Sequence, residues 1–365
     1  MDLALGDTSG AYLGYRAIFH FGRIIVSETY RRIVLASRPN GPVTADNFRL
    51  EEVAMAPLAD GEVRVRNHFL SLDPYMRGRM SDAKSYAAPQ KLNETMGGAT
   101  VGEVVESRHG LFAAGDTVRG MLGWAEYGVS AAGGLDKVDS SVPLSAYLGV
   151  LGMTGMTAWY GVNKILEPKA GETLVVSAAS GAVGGVVGQL GKLAGLHVVG
   201  LAGGPEKCRY VTEELGFDAC IDYKTAADAK ALAALIAAAA PKGVDTHFEN
   251  VGGDVLNAVM SLLNPFARVA ICGLIVDYSM VHGETPKSAI LNPRVFLTAR
   301  FKMQGFIVSD HMELWPQGLG ELAGHLRAGK LKYRESIVDG LAAAPRAFMG
   351  LLKGENFGKQ LVRLS

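Results

Sequence analysis

The sequence predicts a two-domain α/β protein, a compact β-rich domain followed by a doubly wound parallel sheet. Three observations predict it. A chain of 365 residues exceeds what one ordinary core fills. Short strand-like runs crowd residues 30–129 with little helix between them. From Thr173 onward, apolar strand-like runs alternate with amphipathic helical stretches, the rhythm of βαβ units.

Residues 30–35 and 62–70 alternate as strands do; in Glu62-Val63-Arg64-Val65-Arg66 the apolar side chains fall at every second place. Further short strands are expected at Thr100–Glu106, Asp116–Gly120 and Ala125–Val129, punctuated by Gly-Asp and Gly-Gly pairs. In the second half the predicted strands are Thr173–Ala178, His197–Ala202, Cys220–Tyr223, Asp245–Asn250, Arg268–Gly273 and Lys302–Val308. Helices are expected between them at Val183–Ala194, Glu206–Leu215 and Ala226–Ala240, where the alanine run reads as helix rather than linker. After Arg327 the elements shorten, so residues 330–365 are expected to rejoin the first domain.

Composition narrows the function classes. Hydrophobic residues make up 48% and charged residues 20% of the chain, as in soluble globular proteins. Thirty-six basic residues balance 36 acidic ones, so no net field gathers nucleic acid or a membrane surface. Cys208, Cys220 and Cys272 form no CxxC pair, which suits reduced thiols in a cytoplasmic protein. The longest apolar stretch, Leu174 to Gly203, is broken by Gln189, Lys192 and His197 and fails as a membrane span.

The strand at Thr173–Ala178 runs into Ala179-Ser180-Gly181-Ala182-Val183-Gly184 and then a helix. This is the dinucleotide-binding fingerprint with its first glycine replaced. Gly181 lets the backbone approach a pyrophosphate, Gly184 lets the helix lie on the strand, and the helix N-terminus favours the anion. Ala182 and Val183 complete the loop. The next strand ends in Gly203-Gly204-Pro205-Glu206-Lys207, where an NAD enzyme would place an acid for the ribose 2′-hydroxyl. Two glycines and Lys207 suit a 2′-phosphate instead, so NADPH is the expected cofactor.

These segments, with Leu72-Asp73-Pro74-Tyr75-Met76-Arg77-Gly78-Arg79-Met80 and Gly149-Val150-Leu151-Gly152-Met153-Thr154-Gly155-Met156-Thr157-Ala158, carry a resemblance. So do Glu249-Asn250-Val251-Gly252-Gly253, Ile271-Cys272-Gly273-Leu274, Gln304-Gly305-Phe306-Ile307 and Leu352-Lys353-Gly354-Glu355-Asn356-Phe357-Gly358-Lys359. In order and spacing they resemble the zinc-free medium-chain dehydrogenase/reductases. That group contains leukotriene B4 dehydrogenase/prostaglandin reductases, plant alkenal double-bond reductases and, through Gly203 to Arg209 in particular, bacterial curcumin reductases.

The resemblance implies a GroES-like β-barrel catalytic domain at 29–155 and 330–365, beside a Rossmann cofactor-binding domain at 156–329. It leaves residues 1–28, with the aromatic cluster Tyr12, Tyr15, Phe19 and Phe21, as an extension outside the fold. It implies cofactor contacts at Gly181–Gly184 and Lys207, and adds Tyr223, Asn250, Cys272, Gly273, Phe306, Ile307, Val308 and Asn356. For Phe306 a plain core role, and for Asn356 a turn cap, stay open. A homodimer joined through the edge strand Lys302–Val308 is also implied.

Zinc-dependent relatives carry a Gly-His-Glu ligand segment and a four-cysteine lobe. Here the corresponding stretch is Gly97-Gly98-Ala99-Thr100-Val101-Gly102-Glu103, without His or Cys, so no metal is expected. Without a Lewis acid to polarise an alcohol, simple alcohol oxidation is the poorer expectation. The resemblance instead implies NADPH-dependent reduction of the double bond of enals, enones or curcumin-like dienones. Hydride goes to the β-carbon, and the developing oxyanion needs a donor. Tyrosine suits this because its phenol is a neutral donor with an aromatic body. Tyr278 is the implied donor, and Tyr75 the implied pocket wall. Quinone reduction on the same fold, or a non-catalytic NADPH-binding role, are the alternatives. The loop from Asp277 to Pro293 names no ligand.

Overall fold

A computed structural model of the chain describes residues 28–365. The expectation that residues 1–28 lie outside the working fold therefore falls, Glu28 aside, outside the described residues. The strands are β1 (Thr29–Leu35), β2 (Phe48–Ala54), β3 (Glu62–Ser71), β4 (Thr100–Ser107), β5 (Thr117–Gly120), β6 (Tyr127–Ala131), β7 (Leu135–Lys137), β8 (Thr173–Ser177), β9 (His197–Ala202), β10 (Ala219–Asp222), β11 (Val244–Glu249), β12 (Leu263–Ile271), β13 (Lys302–Gly305), β14 (Glu335–Asp339) and β15 (Lys359–Arg363). The α-helices are α1 (Tyr75–Arg79), α2 (Met153–Tyr160), α3 (Gly184–Leu193), α4 (Pro205–Arg209), α5 (Ala229–Ala239), α6 (Gly253–Met260), α7 (Arg294–Ala299), α8 (Trp315–Arg327) and α9 (Ala344–Leu352).

Six parallel strands form one sheet in the order β10-β9-β8-β11-β12-β13. The chain starts at β8, moves outward to β10, then returns to the other side of β8 with β11. Ligands bind outside the carboxyl ends of such a sheet, at this reversal. Every residue of β8 is buried, which is why it reads as a continuous apolar run. Cores lie on both faces: one joins α2, α3 and α8 to the sheet, the other joins α5 and α6.

The second sheet has the order β14-β15-β3-β4-β5-β7, with β6 also pairing β3. Because β15 pairs antiparallel with β3, the C-terminal strand is threaded into the sheet formed early in the chain. Lys359, a residue of β15, is buried and bonds Asp73 at 2.9 Å and Leu72 O at 2.7 Å, tying that strand to the turn before α1. β1 and β2 make a separate antiparallel ribbon.

Several expected boundaries are corrected. The stretch Lys302–Val308 is strand only to Gly305; Phe306 and Ile307 form a connection, and Val308 opens a 3-10 turn. β12 begins at Leu263 rather than Arg268, its register with β11 shifting between Val244 and Thr246. The helix expected over Glu206–Leu215 is α4 followed by a wider π turn at Tyr210–Glu214. Ala125 only bridges Arg32, and β6 starts at Tyr127.

Candidate active site

The turn after β8 is built by backbone crowding. Ala178 adopts a left-handed conformation (φ 49°), and Ala179 N–H donates to Leu201 O at 3.0 Å, pinning the loop to β9. A Cβ on Gly184 would stand 2.4 Å from Ala178 O, so only glycine lets α3 start this close to the strand. At Gly181 the same oxygen would be 3.1 Å away. Ala182 and Val183 complete the turn into α3, whose N-terminus faces the sheet's carboxyl edge. The C-terminal segment lies against this loop: Gly358 N–H donates to Ser180 O at 3.1 Å and Gly358 bridges Gly181. Asn356 Nδ2 donates to Gly358 O at 2.7 Å, so its amide shapes that segment.

Beyond β9 the chain turns at Gly203 and Gly204, the latter with φ 100°. Lys207 on α4 donates to Gly354 O at 2.6 Å. Burial lowers its ammonium's pKa, and the nearby Lys224 adds to the depression. Tyr223 Oη and Lys224 Cε both lie against Gly203, where an added Cβ would meet them at 3.1 and 2.9 Å. Two ammonium groups and a phenol thus surround one turn. Lys207 keeps two N–H donors beyond the one given to Gly354. Sequence reasoning missed Lys224; a second basic residue just past the tip of β10 was its available signal.

The carboxyl ends of β8 and β11 are locked by a buried network. Glu249 and His247 are completely buried. Glu249 accepts from His247 Nε2 at 2.8 Å, Ser177 Oγ at 2.8 Å, Gly252 N–H at 2.9 Å and Val251 N–H. His247 Nδ1 faces Val175 O at 2.9 Å. The two ring nitrogens thus face the Val175 carbonyl and the Glu249 carboxylate. Burial alone would raise the Glu249 pKa; the His247 hydrogen bond and charge, with the two backbone N–H groups, hold it below the ordinary carboxylate range. Asn250 is bound into the same corner, its Nδ2 donating to Ser177 O at 2.8 Å. Glu249 stood in the resembling segment Glu249–Gly253 without a role, and His247 and Ser177 carried no sequence signal, because their partnership spans two strands.

At the ends of β11 and β12 the loop turns back so that Tyr278 Oη stands over Gly273, 3.0 Å from where a Cβ would be. Burial pushes the Tyr278 phenol up to about 12, so its O–H stays protonated at neutral pH. Cys272, beside it, is pushed up to about 12 by burial and by Glu249. Tyr75, at the start of α1, has its phenol raised by burial and by Asp73. Tyr86 lies close enough to both Tyr75 and Tyr278 for its ionised form to raise either phenol further. Tyr86 was missed because it lies on a polar loop with no periodicity. The polar loop after Tyr278 reaches the other domain, His282 N–H donating to Asn40 Oδ1 at 2.9 Å.

Phe306 faces inward: its ring packs against Tyr160 (5.4 Å between centroids) and Phe248 (6.2 Å). Its side chain supports the floor, leaving the backbone of Phe306, Ile307 and Val308 at the carboxyl edge. Among the described residues no group of three or more His, Cys, Asp or Glu side chains could hold a metal ion, and no helix is long and apolar enough to cross a membrane.

Two family descriptions match the chain, "N-terminal domain of oxidoreductase" over residues 31–138 and "Zinc-binding dehydrogenase" over residues 182–324. The NADPH-dependent curcumin reductase of Escherichia coli is 48% identical over 340 residues, covering 92% of this chain and 97% of that protein. The NADP-dependent 2-alkenal reductase of Nicotiana tabacum is 39% identical over 341 residues, covering 92% and 97%. The crystal structure of CurA from Vibrio vulnificus in complex with NADPH superposes with a TM-score of 0.86 at 47% identity, covering 92% of this chain and 99% of that one.

Proposed function

We propose a working arrangement for this site from its family: the chain belongs to the medium-chain dehydrogenase/reductases, in the group of curcumin, alkenal and prostaglandin reductases. It is an NADPH-dependent enone double-bond reductase.

The residues present fit the cofactor. The missing Cβ of Gly184 lets α3 start against β8, and the turn at Gly181–Gly184 with the α3 N-terminus would take the pyrophosphate. Lys207, Lys224 and Tyr223 would hold the 2′-phosphate, and the mutual repulsion of two lysines is what an anion there relieves. Asn250, Cys272, Gly273, the Phe306–Val308 backbone and the Asn356 segment would line the rest of the cleft. When bound, NADPH supplies the hydride that the substrate's β-carbon accepts.

The protein's own part is orientation and charge stabilisation. In this reading Tyr278 donates to the carbonyl oxygen, where negative charge develops as the β-carbon is reduced. A phenol pushed up to about 12 stays protonated at neutral pH, so the donor is always present. Tyr75 and Tyr86 present aromatic faces that confine a planar conjugated substrate. The observation that carries this reading is a protonated phenol over Gly273, at the carboxyl edge of the parallel sheet. An NADPH-oxidation screen across enals, enones, quinones and curcumin-like dienones tests it. The conjugated carbonyls are expected to turn over; turnover of quinones alone would overturn it.

Domain boundaries at 29–155 with 330–365, and 156–329, belong to the same proposal, as does a cytoplasmic location. So does a homodimer. The edge strand β13 offers unpaired backbone groups to a second copy.

A further inference from the structure

The turn after β1, Arg38-Pro39-Asn40-Gly41, touches each of the segments that carry Tyr75, Tyr86 and Tyr278. Arg38 donates through Nη1 to Met80 O at 3.1 Å and through Nη2 to Gln90 O at 3.0 Å, spanning the two ends of the loop that holds Tyr86. Arg77, on α1 just past Tyr75, donates through Nη2 to Gly41 O at 2.7 Å and Pro39 O at 3.4 Å. Asn40 Oδ1 accepts His282 N–H at 2.9 Å, one turn of chain beyond Tyr278. Gly41 has φ 95°, and a Cβ there would stand 3.2 Å from Val281 Cγ2, so the turn both requires glycine and lies against the Tyr278 loop.

Two further observations give this junction a consequence. Arg77 is only 5% exposed and makes no ion pair among the described residues, and its Nε is buried without a partner. A buried guanidinium ordinarily pairs with an acid; here its charge is directed at the two carbonyls of the turn. The Tyr278 loop, for its part, is folded on itself. Asp277 accepts Lys287 N–H at 2.8 Å, Val281 N–H donates to Glu284 Oε2 at 3.0 Å, and Glu284 N–H donates to Val281 O at 3.1 Å. Closed at its neck and at its tip, the loop moves as one piece, and Asn40 grips that piece from the β1 side.

We infer that Asn40 is a positioning residue for the reduction: its grip on the loop after Tyr278, set in place by Arg77, fixes the phenol relative to Tyr75 and Tyr86. The inference rests on Tyr278 as the donor to the carbonyl oxygen. Without the grip the loop drifts and carries the phenol with it. A donor aimed at developing charge loses its effect with a small misplacement, so the loss falls on kcat. NADPH binding is spared, because the Gly181 turn and Lys207 lie on other elements.

Removing buried Arg77 also unsettles α1, so exposed Asn40 carries the test, in the full chain. Amide hydrogen exchange should quicken over residues 279–284 in Asn40→Ala and stay at the wild-type rate in Asn40→Asp, which keeps an acceptor oxygen. With crotonaldehyde as substrate, Asn40→Ala should lower kcat roughly threefold to tenfold, the scale of one hydrogen bond, and leave NADPH Kd unchanged. Asn40→Asp should recover most of that loss. Added to Tyr278→Phe, Asn40→Ala should cost nothing further, because the contact it positions is already gone. Unchanged exchange in Asn40→Ala overturns the grip. Faster exchange with wild-type kcat overturns the positioning role, as does an equal further loss on top of Tyr278→Phe. Tyr278→Phe at the wild-type kcat instead sinks the donor reading on which the role rests, and the exchange rates then judge the grip alone.

Discussion

Glu249 is the residue whose removal the structure prices most directly. Its carboxylate is fully buried and is the common acceptor for His247, Ser177 and the N–H groups of Val251 and Gly252. Glu249→Ala takes the carboxylate from His247 Nε2 and from the N–H groups of Val251 and Gly252, while Ser177 Oγ can still turn to Phe248 O at 3.3 Å. Breaking a buried ion pair by removing one partner costs about 3–5 kcal/mol. For a domain of this size each kcal/mol moves the melting midpoint by about 2–4 °C, so a drop of about 6–20 °C is expected. Glu249→Gln keeps an acceptor oxygen for the backbone but loses the charge and sets an amide NH2 against His247 Nε2. The gap between charged and neutral hydrogen bonds puts its loss at about 1–2 kcal/mol. Because the folded Glu249 pKa is depressed, its contribution is present above the ordinary value of 4.5 and lost as pH falls through the folded value. The wild-type advantage over Glu249→Gln should therefore shrink on acidification. Calorimetry across pH reads both effects; a Glu249→Ala midpoint within a few degrees of wild type would refute the reasoning.

Lys207→Ala should raise KM for NADPH at least tenfold while hardly changing NADH, since a charge-assisted contact is worth about 1.5–3 kcal/mol; equal effects in steady-state assays would remove Lys207 from the 2′-phosphate site. Tyr278→Phe keeps the ring and deletes the donor. One oxyanion contact is typically worth about 10²–10³ in kcat, and water can replace part of it, so a loss of roughly tenfold to a hundredfold is expected, whereas Tyr75→Phe should act on substrate KM. Reversed kcat and KM effects would exchange the two roles. Elemental analysis should find no stoichiometric zinc and chelators should leave activity intact; one zinc per chain with activity lost on chelation would contradict the reading of Gly97–Glu103.

The parallel sheet was legible because β8 and β9 are short, mostly apolar runs bounded by glycine turns. β14 and β15 were not. Most of β15 is buried, so it lacks alternation, and Lys359 within it looks like a surface residue until Asp73 is seen beside it. The start of β12 was hidden by Pro265 and by the left-handed Phe266, which read as a turn. Position along the chain exposes Gly181, Gly184 and Lys207, because phosphate binding uses one strand–turn–helix unit. Tyr86 and the Glu249 network depend on contacts between distant segments, which no local pattern encodes.

The central claim is that hydride enters at the β-carbon while Tyr278 holds the carbonyl oxygen. Reduction of an enone with NADPH deuterated at the transferred position, followed by magnetic resonance of the product, tests it most directly. The account predicts a saturated ketone with deuterium at the β-carbon and none at the carbonyl carbon. An allylic alcohol carrying deuterium on the carbinol carbon would contradict it.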